Sequence, residues 1–252
     1  MRMDLNSDLG ESFGAWRLGD DEALLDVVTS ANIACGFHAG DPSTIRQTVA
    51  AAHARGVLIG AQVSYPDLVG FGRREMGATP EQIEHDVLYQ LGALHAFCKV
   101  AGTRVRFLRP HGALYHRCAS DPEAAAAAVR SAAAFDDTLG VVAPPNSALL
   151  HAAQAAGLEV VREGFADRRY TRDGRLHPRA AGGAVLSDRD DVVAQAVAIA
   201  TGGDVITVDG TAIKVVADTI CLHGDTPGAA GMAKAVRSAL QAHGVTIAPA
   251  LK

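Results

Sequence analysis

The chain has 252 residues, a formal charge of -5 at pH 7 and a pI ≈ 6.0, with 48% hydrophobic and 20% charged residues. That composition is ordinary for a globular protein, and the length suits one large α/β domain, although length alone would also permit two smaller ones. The acidic balance argues against non-specific nucleic-acid binding and against a polybasic membrane surface.

Strand-like apolar runs alternate along the chain with helix-like segments. "RMDLNSDLG" begins as a strand, and "DDEALLDVVTS" follows with acids at its start and helical apolar spacing. "ANIACG" reads as a short strand. "DPSTIRQTVAAAHARG" predicts a helix with Asp41 as N-cap, Pro42 at the first helical position and Gly56 as stop. "VLIGAQ" is a strand, and "TPEQIEHDVLYQLGALHAFCKVAG" a helix capped by Thr79, opened by Pro80 and ended by Gly102. "VRFLRP" is a strand, and "DPEAAAAAVRSAAAF" an Ala-rich helix with Asp121 and Pro122 at its start. "LGVVAP", "NSALLHAAQAAG" and "LEVVREGF" read as strand, helix and strand. "SDRDDVVAQAVAIATGG" is helical, "DVITVDGTAIKVVADTICLHGD" holds one or two strands, and "GAAGMAKAVRSALQAHG" is the last helix.

Strands alternating with helices predict a parallel sheet with helices outside it. Closing the units gives a barrel, and leaving them open gives a doubly wound sheet. The high unit count, with no dinucleotide fingerprint, favours a barrel formed by residues 1–252 as a single domain. Two irregular stretches interrupt the pattern: the Gly-rich "SYPDLVGFGRREMGA" and the Arg-rich "ADRRYTRDGRLHPRAAGG". Loops this long inside a compact domain are usually functional or mobile. No run approaches the ~18 apolar residues of a spanning helix, and "MRMDLNSDLG" lacks the apolar stretch of a secretory signal. Cys35, Cys98, Cys118 and Cys221 are scattered without CxxC spacing. That argues against a zinc-thiolate site or a disulfide framework and for reduced thiols in a cytoplasmic protein.

Several apolar runs end in polar groups. Asn6, Asp8 and Glu11 are expected just past the first strand, His38 and Asp41 past the second, Arg109 and His111 past the fourth, and His223 and Asp225 past the last. The C-terminal ends of parallel strands share one face of a barrel, so these groups converge on one pocket. Gly36, Gly40, Gly112 and Gly224 flank the histidines and allow close approach of a ligand. His53, His85, His95, His151 and His243 fall on helix patterns and read as surface or packing residues. His38, His111, His223, Asp8, Asp41 and Asp225 are the right atom types for a divalent cation, though no compact motif such as HExxH occurs. Without a metal, the same groups supply acid and base. The Arg-rich loop offers Arg168, Arg169, Arg172, Arg175 and Arg179 as a bidentate clamp on a carboxylate or phosphate, or as a solvated loop balanced by Asp167 and Asp173.

"DLNSDLGE", "SANIACGFHAGD", "RPHGALYH", "EGFADRRYTRDGRLHPR" and "DTICLHGD" together, in order and over essentially the whole chain, resemble the LamB/YcsF family. The resemblance implies a distorted seven-stranded β/α (TIM-like) barrel of the type shared with some glycoside hydrolases and polysaccharide deacetylases. It also implies a part in prokaryotic 5-oxoprolinase: ATP-dependent opening of the 5-oxoproline (pyroglutamate) lactam to L-glutamate, together with subunits B and C. By the same resemblance, Asp8, Glu11, His38, His111 and His223 are the catalytic candidates, with Asp8 or Glu11 as general base. Asn6, Asp41, Arg109, Tyr115, Asp167, Arg168, Arg179 and Asp225 are the substrate-binding candidates. Asp8, His38 and His111 are the candidate ligands should a divalent metal bind. No GxxxxGK[ST] loop is present, which fits ATP use assigned to or shared with the partners.

The chain departs from the family pattern at four places. Gln62 and Val63 stand in "GAQVS" where the family usually has His and Pro, Arg109 where it has Lys, and His116 where it has Asn. Gln has no titratable nitrogen, and Arg cannot act as a base near neutral pH. Two alternatives follow: a metal-dependent amide or N-acetyl hydrolase acting on a carbohydrate, and a catalytically impaired scaffold protein.

Overall fold

The computed structural model describes residues 1–179, 181–225 and 228–251, so Ala180 of the Arg-rich stretch lies outside the described residues. Seven parallel strands close into a barrel: β1 (Arg2–Leu9), β2 (Ser30–Ala34), β3 (Leu58–Val63), β4 (Phe107–Pro110), β5 (Gly140–Ala143), β6 (Val160–Phe165) and β9 (Thr219–Leu222). Neighbours pair in chain order, and β9 closes the ring by pairing with both β6 and β1. The stretch expected to hold one or two strands holds three. β7 (Val205–Ile206) and β8 (Ala212–Ile213) form a small antiparallel pair outside the barrel before β9 begins. β10 (Thr246–Ile247) adds itself to the first residues of β1.

The helices start where their caps were legible. Asp41, Thr79 and Asp121 cap α2 (Pro42–Ala54), α3 (Pro80–Val100) and α5 (Pro122–Phe135), each with proline at the first position. α1 (Asp21–Leu25), α6 (Ala148–Ala155), α7 (Arg189–Thr201) and α8 (Ala229–Ala242) complete the expected set. No described helix is long and apolar enough to cross a membrane. One helix, α4 (Gly112–Ser120), was not expected; it follows β4 directly with His111 at its N-cap and no side-chain cap bond.

The apolar core lies between the outward faces of the strands and the helices, where Leu5, Leu9, Ile33, Ile59 and Leu108 meet Ile45, Ile83, Leu91, Leu94, Val236 and Leu240. Each such burial contributes about 1.5–3 kcal/mol. The barrel interior differs from the layered apolar filling usual for this architecture. Phe107, Val142, Val161 and Leu251 plug its lower end. Gly60 makes room for that plug, since a Cβ there would stand 1.9 Å from the Phe107 ring. Next comes a polar column. Asp4, Asn6 and Asp8 lie at alternate positions of β1 and so on one face of the strand. Ser30 and Thr219 bond Asp4, and Asn32 bonds both Asn6 and Asp8 at 2.8 and 2.9 Å.

The Gly-rich stretch after β3 packs over the start of α4. Gly112 has φ +59°, and a Cβ on it would come within 2.3 Å of the Gly72 carbonyl oxygen, which accepts the Ala113 N–H. Gly112→Ala is therefore expected to destabilise the protein by about 1–3 kcal/mol, read as a drop of about 2–4 °C in Tm per kcal/mol. An unchanged Tm would show that the loop shifts freely.

Candidate functional site

The polar column of the barrel opens at its C-terminal end into a cleft of about 450 Å³, lined among others by Asp8, Arg73, Arg109, His111, Tyr115, Arg168, Arg179 and His223. Asn6 and Asp8 do not lie past the first strand as the sequence suggested. They sit within β1, because the strand runs to Leu9 and its polar residues alternate toward the barrel interior. Arg109 likewise lies within β4 and points inward, while His111 follows the strand as expected.

Arg109 is the hub of the buried charges. Its Nε donates to both oxygens of Glu163 at 3.2 Å, and its Nη1 donates to Asp8 Oδ1 at 3.0 Å. The guanidinium also lies over the Tyr115 ring, 5.1 Å from the centroid. An arginine so engaged is a counter-ion for two buried carboxylates, and it also lines the cleft. Burial alone would raise the Asp8 carboxyl, but Arg109 and the neighbouring His111 and His223 hold it well below the usual carboxylate range. Burial raises Glu163, with Arg109 opposing.

On the far wall, His223 and Asp167 form a pair. His223 Nδ1 lies 2.9 and 3.0 Å from the two Asp167 oxygens, and the His223 backbone N–H donates to Oδ2 at 3.1 Å. Burial would raise Asp167, but His223 holds its carboxyl below the usual value, so the carboxylate accepts and Nδ1 carries the donated proton. Nε2 is then the nitrogen left for chemistry. The His223 ring stacks on Phe165 with centroids 5.7 Å apart.

Arginines guard the mouth. Arg168, buried, is fixed by donating from Nε to the Ala184 carbonyl and from Nη2 to the His177 carbonyl, which leaves Nη1 outside the described hydrogen bonds. Arg73 and Arg179 both approach Asp225, at 2.6 and 3.6 Å. Burial would raise the Asp225 carboxyl, but the bond from Arg73 keeps it below its ordinary value. Asp225 is thus bound to the guard of the cleft. Two other expected binding residues stand elsewhere. Asp41 is committed to its helix cap and to the Gly14 N–H, and Asn6 lies below the cleft, bonded to Asn32 and Thr219.

Behind the His111 wall sit Glu11 and His38, which do not line the cleft. Glu11, His38 and His111 each bring one potential ligand atom within 4.8 Å of the others; the structure thus groups Glu11, rather than Asp8, with the two histidines. Burial, with the Asp8 charge adding to it, pushes the Glu11 carboxyl well above its ordinary value. Burial, then the adjoining His111, holds His38 well below its ordinary value, and burial also lowers His111. Gln62 joins this group, with Nε2 at 3.0 Å from Glu11 Oε1 and 2.9 Å from His111 Nδ1.

Two residues of the site are not evident from the sequence pattern. Glu163 is one of two adjacent charges in the strand "VVREGF", and its place two residues before Phe165, on the same face, is its signal. Arg73 lies in the Gly-rich stretch after β3, where only the loop length points to function.

The sequence profile of the LamB/YcsF family matches residues 3–252. The A component of the 5-oxoprolinase of Nocardia farcinica is 54% identical over 98% of both chains. The corresponding component from Methylococcus capsulatus is 53% identical over 98% of this chain and 95% of its own. The crystal structure of the lactam utilization protein from Thermus thermophilus matches with a TM-score of 0.92 at 44% identity, over 98% of this chain and 99% of its own. The match runs from β1 through the clustered charges to the C-terminal plug, and the chain belongs to the LamB/YcsF family.

Proposed function

We propose that this chain is the A component of a cytoplasmic 5-oxoprolinase, a hydrolase that opens the 5-oxo-L-proline lactam to L-glutamate with ATP, working with subunits B and C. The observation that carries the reading is the cleft itself. It joins an oriented imidazole to an arginine with a donor group that no described residue engages, in a chain about half identical to proteins named for that activity. A lactam is a stable amide: opening it requires water to add to the carbonyl carbon, stabilisation of the oxygen charge that forms, and a proton for the departing ring nitrogen. His223 Nε2 takes the proton from the attacking water and returns it to the nitrogen as the C–N bond breaks. Asp167 orients the ring and offsets its charge. Arg168 binds the substrate carboxylate through Nη1. Asp8, held ionised by Arg109, supplies a fixed negative field beside the imidazole rather than a base. ATP activates the amide oxygen, and its binding is assigned to, or shared with, the partners.

The test is ATP-dependent release of glutamate from 5-oxoproline by the chain co-purified with its B and C partners. Release by B and C alone at the same rate would remove the chain from the chemistry. Within that assay, Arg168→Lys keeps the charge and loses the planar fork. It is expected to raise KM for 5-oxoproline about 10- to 100-fold, the ~1.5–3 kcal/mol of one hydrogen bond to a charged group, with kcat much less affected. An unchanged KM would place the carboxylate elsewhere.

A further inference from the structure

His38 is fully buried, and neither of its ring nitrogens has a hydrogen-bond partner among the described residues. Leaving a buried polar group unmet costs about 1–3 kcal/mol, so such a group calls for something that engages it. Its Nε2 faces Glu11 Oε1 at 3.6 Å, and its ring lies against that of His111, with centroids 4.1 Å apart and planes 14° from parallel. His111 is prepared in the same direction. Its Nε2 lies 3.1 Å from the Phe71 carbonyl oxygen, which only accepts, so Nε2 carries the proton and Nδ1 presents a lone pair. That lone pair lies 3.8 Å from the same Glu11 oxygen. A backbone carbonyl holding the outer N–H of an imidazole is the arrangement that orients metal-binding histidines.

Gln62 completes the group. Its amide N–H bonds span Glu11 Oε1 and His111 Nδ1, so a partly positive group already bridges those two ligand atoms. Its Oε1 is buried and has no partner among the described residues. Half a turn about the last side-chain bond exchanges the two ends and presents that oxygen to the same atoms.

We propose that Glu11, His38 and His111 form a binding site for one divalent transition-metal cation of the zinc class, with the Gln62 amide oxygen as a further ligand. Two imidazoles and one carboxylate suit zinc, cobalt, iron or manganese better than magnesium or calcium, which favour all-oxygen sites. Three such ligands, with an exchangeable fourth, also match the ligand number of zinc sites that keep a position open. The proposal stands apart from the lactam reading, because its test reads binding and not turnover.

The untagged full chain, stripped with a chelator, is titrated with Co²⁺ and followed by visible absorption and by dialysis with metal analysis. One equivalent is expected to bind with a ligand-field spectrum and to be displaced by Zn²⁺. His38→Gln and Glu11→Gln are each expected to weaken binding at least 100-fold, with folding checked by circular dichroism and thermal unfolding. Gln62→His, which supplies a ring nitrogen in place of the amide, is expected to bind at least as tightly as the unchanged chain. Equal binding by the unchanged chain and by a folded His38→Gln variant overturns the proposal. So does failure of the unchanged chain to bind where Gln62→Ala does, since the amide would then be a permanent occupant of the cation's place.

Discussion

Asp167→Asn is expected to lower kcat for glutamate release by about 10³–10⁴-fold while leaving KM and Tm nearly unchanged. The wild-type carboxylate is acceptor-only, and it takes both the His223 Nδ1 proton and the His223 backbone N–H. An asparagine that keeps its oxygen at the Oδ2 place stays within reach of both His223 N–H groups but puts its NH₂ at the Oδ1 place, 3.0 Å from Nδ1. That donor-to-donor contact favours the ring tautomer with its proton on Nε2, the wrong one for taking a proton from water. The alternative orientation keeps the tautomer and sacrifices the backbone bond, and neither restores the negative charge beside a developing imidazolium. The size of the effect follows from comparable losses where a carboxylate that orients a catalytic histidine is neutralised. His223→Ala should cost about as much, and the double variant little more, because the two residues act as a unit. A loss under tenfold in Asp167→Asn would mean that another group fixes the imidazole.

Much of this architecture is written locally. The pairs Asp41–Pro42, Thr79–Pro80 and Asp121–Pro122 announce helix starts because the cap oxygen and the fixed proline φ act within one turn. α4 carries no such signal: its N-cap is His111, whose side chain makes no cap bond, and its first residue is Gly112. β10 is two residues long and takes its stability from pairing with Arg2 and Met3 at the other end of the chain, which no local pattern reveals. The convergence of histidines and acids follows from strand polarity alone, since parallel strands put their C-terminal ends on one face. Their depth does not. Asp4, Asn6 and Asp8 are legible as a period of two, but whether that face meets solvent or the barrel interior depends on Asn32, Thr219 and Arg109 arriving from other strands. For the same reason the counter-ion role of Arg109 is not legible in the sequence: its partner Glu163 is 54 residues away.

Arg109→Met is expected to destabilise the folded chain by about 3–5 kcal/mol at neutral pH, because it strands two buried carboxylates without a counter-ion. Its pH dependence distinguishes that cause from lost packing. In the wild type the Asp8 carboxyl, against the effect of burial, is held below its unfolded value mainly by Arg109. A depressed carboxyl contributes stability that is fully present above its unfolded pKa of about 4 and is lost as the pH falls through the folded value. Without the guanidinium, burial dominates and the sign reverses: the folded pKa lies above the unfolded one, and ionising Asp8 costs stability as the pH rises from about 4. Glu163, already raised by burial, loses its opposing partner and moves in the same direction. The stability gap between wild type and variant should therefore be widest near pH 7 and narrow steadily toward pH 4, measured by urea unfolding at a series of pH values. A gap that stays constant over that range would mean that the arginine serves as packing against Tyr115 and Phe165, and that its charge is not what keeps the carboxylates ionised inside the barrel.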